Sequence, residues 1–182
     1  MVIEYQRMQS SHLDDRFAES ITTVDDLAKH LRAALEVQKD AIDSAHVHGA
    51  SSREVQQVVS AVLKQLLGFD EEVLLTAEDG IVSRPRPDFV YQIGPGEGVI
   101  AEVERGGTVA NNHDPKDIWM TRIAPDPQHL FRIVPSSNWR GDTQSRERPF
   151  PRLAHRMGAL FGDSRREIDV LTCHVFGYGR RA

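Results

Sequence analysis

The chain has 182 residues, of which 40% are hydrophobic and 27% charged, and its formal net charge is −5. That is enough apolar material for one packed domain, and no run approaches the roughly 18 consecutive apolar residues of a membrane span. Residues 1–20 hold no apolar signal core and Cys173 is the single cysteine, so the sequence reads as cytoplasmic, without an intrachain disulfide or a four-cysteine zinc site. The charge is uneven. Residues 1–80 carry 7 Lys/Arg against 15 Asp/Glu, whereas residues 81–182 carry 15 against 12, among them Arg84, Arg86, Arg105, Arg122, Arg132 and Lys116, which is compatible with contact to a polyanion without demanding it.

Residues 1–21 are polar and aperiodic, which predicts a loosely held arm or a short helix. From Thr23, a candidate cap followed by Asp25 and Asp26, the residues Leu27, Leu31, Ala34, Leu35 and Ile42 recur at helical spacing, predicting one amphipathic helix up to about Ala45. Its stripe suits packing on the protein's own core, or pairing in a homodimer. His46 and His48 beyond it read as surface residues. Ser51 to Glu54 has capping-box spacing and opens a helix whose apolar face runs from Val55 to Leu67, with Gly68 as its stop. Phe69 to Thr76 predicts a strand that ends at the Glu78-Asp79-Gly80 turn. The resulting division is an arm and amphipathic helix over residues 1–50 and an α/β domain over residues 51–182.

Two apolar runs then flank a Gly94-Pro95-Gly96-Glu97-Gly98 turn, the pattern of a β-hairpin. Side chains alternate along strands, so Phe89, Tyr91 and Ile93 share one face, as do Val99, Ala101 and Val103. Burying both sets on one side of the sheet puts Asp88 opposite Glu102 or Glu104 and sends all three carboxylates to the other side, about 5 Å apart. Carboxylates that close repel unless a cation sits among them. A hard divalent ion, Mg²⁺ or Mn²⁺, fits an Asp and a Glu on adjacent strands, which predicts Asp88 and Glu102 as metal ligands.

Pro87-Asp88 followed by Glu102-Val103-Glu104 resembles the signature of the PD-(D/E)XK nuclease superfamily, with its restriction-endonuclease-like fold, in a variant with Glu-x-Glu in place of Glu-x-Lys. The resemblance covers roughly residues 51–177. It implies an α/β protein with a mixed sheet and an αβββαβ core, here with an added N-terminal helix. It implies a metal-dependent endonuclease hydrolysing phosphodiester bonds in DNA, with Asp88, Glu102 and Glu104 as catalytic residues. Folds of this class often bring an acid from the preceding helix near the metal, and Glu54 is the candidate; its alternative role is the capping side chain. The alternative reading of the whole chain is a catalytically inactive nuclease-like module that binds nucleic acid or a protein partner.

After Gly106-Gly107, Asp114-Pro115 predicts a helix start, and the helix would run to about Ala124. Asn111, Asn112 and Lys116, with Arg105 and Arg86, are the candidate nucleic-acid contacts, since the loop and helix begin where the acidic strand ends. Leu130 to Val134 predicts a fourth strand. Residues 136–151 read as an exposed loop in which Trp139, Arg140, Arg146 and Arg148 would stack on bases or track a backbone. A helix over residues 151–161 and a strand over residues 168–176 close the pattern. Cys173 and His174 in that strand read as a buried small hydrophobe and a satisfied sheet-face histidine.

Overall fold

The sheet is organised around two strands whose centres are buried. β4 (Glu97–Val103) and β5 (Pro127–Pro135) lie side by side and parallel in the middle of six strands, where Val99, Ile100, Ala101, Phe131 and Ile133 are all fully buried. β3 (Phe89–Gly94) pairs with β4 in antiparallel fashion and β2 (Asp70–Glu71) with β3. On the other side β8 (Thr172–Tyr178) runs parallel to β5, and β1 (Glu4–Gln9) closes the edge antiparallel to β8. The order is β1-β8-β5-β4-β3-β2. This computed structural model describes residues 3–11, 13–46, 52–72, 86–104, 113–124, 126–140, 144–163 and 169–180.

Two helical layers cover the sheet. α1 (Ala18–Val37), α2 (Lys39–Ala45) and α3 (Ser52–Ala61), which continues as a π-helical turn over Val62–Leu66, bury Leu31, Leu35, Ile42, Val59 and Leu63 against Phe89, Val99, Phe131 and Phe176. α4 (His113–Ile123) and α5 (Pro149–Phe161) cover the opposite face, where Met120, Leu153 and Met157 meet Ile100, Leu130 and Val175. The chain is therefore a mixed α/β protein. The succession α3-β2-β3-β4-α4-β5 is the αβββαβ order expected of the core.

Alternation along the hairpin decides which residues go where. Phe89, Tyr91 and Ile93 on β3 and Val99, Ala101 and Val103 on β4 all join the core under α1 and α3, as the spacing predicts. The two strands meet at Pro95-Gly96, where Gly96 takes φ +75, a left-handed value that glycine adopts without a side-chain clash.

Several expectations are corrected. Residues 4–9 are an edge strand, because Ile3 and Met8 are buried and every residue of β1 pairs with β8. α1 begins at Ala18, five residues before Thr23, whose hydroxyl instead bonds back to the Glu19 carbonyl inside the helix. The segment after Pro135 contains a two-stranded sheet, β6 (Asn138–Arg140) with β7 (Gln144–Glu147), and Trp139 donates to the Arg180 carbonyl at 3.3 Å. His46 is half-buried, edge-on to Tyr178 with ring centroids 5.3 Å apart. His48 and the Glu78-Asp79-Gly80 turn lie outside the described residues. No helix among the described residues is long and apolar enough to cross a membrane.

Between α1 and the sheet lies a buried polar chain. Ser20 Oγ bonds His129 Nε2 at 3.0 Å, His129 Nδ1 bonds Thr172 Oγ1 at 2.8 Å, Thr172 Oγ1 bonds His174 Nε2 at 3.0 Å, and His174 Nδ1 bonds the Tyr5 hydroxyl at 2.8 Å. Asp25 approaches His174 at 3.8 Å and is engaged by Arg7 at 2.6 Å. Burial, then the positive charge of Arg7, pushes His129 down to about 4 and His174 down to about 3, so both rings are neutral. Because both folded values lie below the ordinary 6.5, this contribution to stability is complete above about pH 6.5 and is lost as pH falls toward 4. Urea denaturation should show stability falling by about 1–2 kcal/mol per pH unit from pH 6 to pH 4. The slope should flatten when His129→Gln and His174→Gln are combined.

Candidate functional site

Asp88 lies one residue before the first paired residue of β3, and Glu102 one residue beyond Ala101, the partner of Phe89. The hairpin ladder is continued past that pair by the two side chains. The Asp88 amide donates to Glu102 Oε1 at 3.1 Å, and the Val103 amide donates to Asp88 Oδ2 at 2.9 Å. Each carboxylate thus takes a backbone donor from the opposite strand, which fixes both head groups on the α4 side of the sheet. Their second oxygens, Asp88 Oδ1 and Glu102 Oε2, accept no hydrogen bond from the described residues.

Burial governs the electrostatics of the acids. Glu102 is 7% exposed. Burial, then the neighbouring charge of Asp88, raises its pKa to about 7. Asp88 is also raised, by burial and in smaller part by the charge of Glu104, so the third carboxylate lies within electrostatic reach of the first. Arg132 and Lys116 oppose both shifts.

The other candidates divide. Lys116 is exposed on the first turns of α4, and its charge reaches Asp88 and Glu102. Arg86 is exposed at the start of the hairpin and is paired with Glu72 at 2.5 Å. Glu54 is exposed in the first turn of α3; Ser51, its expected capping partner, lies outside the described residues. Arg105, Asn111 and Asn112 also lie outside them. Arg132 and Arg122, counted from sequence among the basic residues available to a polyanion, are otherwise engaged. Arg132 is 1% exposed and ion-paired with Asp117 of α4, and Arg122 bonds Asp169 at 2.8 Å. The Asp117–Arg132 pair is the feature that sequence reading missed. Its one signal was an arginine alternating with apolar residues, Phe131-Arg132-Ile133, where an outward charge was the simpler expectation.

Two carboxylates with hard oxygen donors, on one face and partly dehydrated, suit a divalent cation that completes its shell with water and phosphate oxygens. Among the described residues no group of three or more His, Cys, Asp or Glu is gathered that could hold a metal ion.

Fold and site together define a mixed α/β protein with an acidic pair at the open end of its central hairpin. No family model matches the sequence, and no curated protein matches it. Among solved structures, the restriction endonuclease BglII complexed with a DNA 16-mer superposes over 99% of this chain and 77% of its own, with 8% identity and a TM-score of 0.47.

The raised pKa of Glu102 has a cost in the absence of a cation. Its folded value of about 7 exceeds the ordinary 4.5, so the native state holds the extra proton, and stability falls as pH rises from 4.5 toward 7. Glu102→Gln keeps an acceptor for the Asp88 amide and removes the charge. Urea denaturation in chelator should show its advantage over the wild type growing by about 2 kcal/mol from pH 5 to pH 8.

Proposed function

We propose that the protein is a metal-dependent endonuclease that hydrolyses phosphodiester bonds in DNA. The observation that carries this reading is the crossed pair of bonds that hold Asp88 and Glu102 side by side, each using one carboxylate oxygen. A divalent ion held there, Mg²⁺ or Mn²⁺, would supply Lewis-acid activation of water and neutralise charge building on the phosphate. Asp88 and Glu102 hold it. Glu104, two residues beyond Glu102 on the same side of the strand, accepts a proton from the attacking water. Lys116 binds the scissile phosphate as a point charge at the start of α4. Arg105, Asn111 and Asn112, on the connection between Glu104 and α4, are the remaining candidates for contact with the DNA backbone.

A second reading has its own support. Glu104 stands where the resembling superfamily has lysine, and two carboxylates make a weak cage without substrate oxygens. A catalytically inactive module that grips nucleic acid or a protein partner would need no more than this.

One set of measurements separates the two. For the nuclease, calorimetry shows Mn²⁺ binding that Glu102→Ala removes, and Mg²⁺-dependent nicking of plasmid DNA falls about a thousandfold or more in Asp88→Ala. A purified protein that gives no heat with Mn²⁺ and leaves the plasmid intact contradicts the nuclease reading. Retardation of an oligonucleotide under those same conditions would favour the module.

A further inference from the structure

Among the described residues, the most deeply buried charged side chains belong to neither proposed metal ligand. Asp117 on α4 and Arg132 at the centre of β5 are each 1% exposed and form an ion pair across the helix–sheet interface. Arg132 is the direct neighbour of Glu102 in the parallel ladder between β5 and β4. Lys116 immediately precedes Asp117. The ion pair therefore ties the helix that carries the proposed phosphate clamp to β5, the ladder neighbour of the strand that carries a proposed metal ligand.

The remaining α4 contacts are less demanding. Met120, Ala124 and Ile118 meet the apolar cluster beneath the helix, and contacts of this kind tolerate small slides. A buried ion pair does not. Separating its members leaves buried charge uncompensated, which is strongly destabilising. A shift of one residue along the α4 axis moves Asp117 by about 1.5 Å and puts it off the guanidinium. The Thr121 hydroxyl, bonded at 2.8 Å to the Asp117 carbonyl, braces the same turn.

We propose that Asp117 and Arg132 are positioning residues, whose buried ion pair locks the register of α4 on β5 and so holds Lys116 at the phosphate side of the Asp88–Glu102 pair. The inference rests on the nuclease reading, and it assigns a task to two residues that touch neither metal nor substrate. The charge of Lys116 felt at both acids is consistent with that placement.

The test is a mutant cycle on Mg²⁺-dependent nicking of a supercoiled plasmid. Removing one partner alone risks unfolding, so the pair is replaced together by apolar residues, Asp117→Leu with Arg132→Met, an exchange that buried ion pairs often tolerate. Lys116→Ala, at an exposed site, should slow nicking about 10- to 100-fold. The paired replacement should fold, by circular dichroism and melting temperature, and slow nicking to a similar degree. The combination of all three should be no more than about twofold slower than either, because both routes remove the same positioned ammonium. A folded paired variant that nicks like the wild type, or a loss that multiplies with that of Lys116→Ala, overturns the inference and leaves the nuclease reading standing. If the paired variant does not fold, Arg132→Lys, which keeps the charge and loses the fork, enters the same cycle with the same criteria. A wild-type chain that neither nicks plasmid nor gives heat with Mn²⁺ overturns both.

Discussion

Everything near the acidic pair depends on the position of β4 in the sheet. It is hydrogen-bonded on both edges, to antiparallel β3 and parallel β5, and covered on both faces by helices. A side chain at its end has little access to water, so Glu102 is buried by topology and its charge has to be balanced by what the protein places nearby. The crossed backbone bonds, the neighbouring Arg132 and the approach of Lys116 all do this.

Most of the architecture was legible in the letters because it is written at the two periodicities that burial enforces. The hairpin was readable from Phe89, Tyr91, Ile93, Val99, Ala101 and Val103 together with Pro95-Gly96, and these residues share one face as the alternation requires. α4 was readable from Asp114-Pro115, and Cys173 and His174 proved as buried as a sheet interior implies. The failures come from long-range pairing. β1 has too weak an alternation to announce itself, and it is a strand only because β8 offers it an edge. β6 and β7 are short and polar, and they pair with each other locally where composition suggested an open loop.

The candidate site was legible in part for the same reason. Asp88 and Glu102 meet because hairpin register is a local property, set by a turn and an apolar pattern. Arg132 was misassigned because its partner Asp117 comes from a helix on another layer, and the sequence gives no local sign that two such charges will find each other in the interior. Arg86 and Arg122 were likewise counted as available, yet each has a carboxylate beside it. A tally of positive charge by segment overstates what a surface offers to an anion.

The pairing of β1 with β8 bears on how the molecule is assembled. Tyr5 and His174 touch although they lie 169 positions apart in sequence, so joining these strands closes a very long loop, and contacts of that kind form slowly. The bond between the Tyr5 hydroxyl and His174 can form only in that step. On a ribosome, β3 and β4 emerge well before the edge strand acquires its neighbour. The acidic hairpin would then spend part of synthesis with its flanking layers unfinished, exposed to chaperones and proteases.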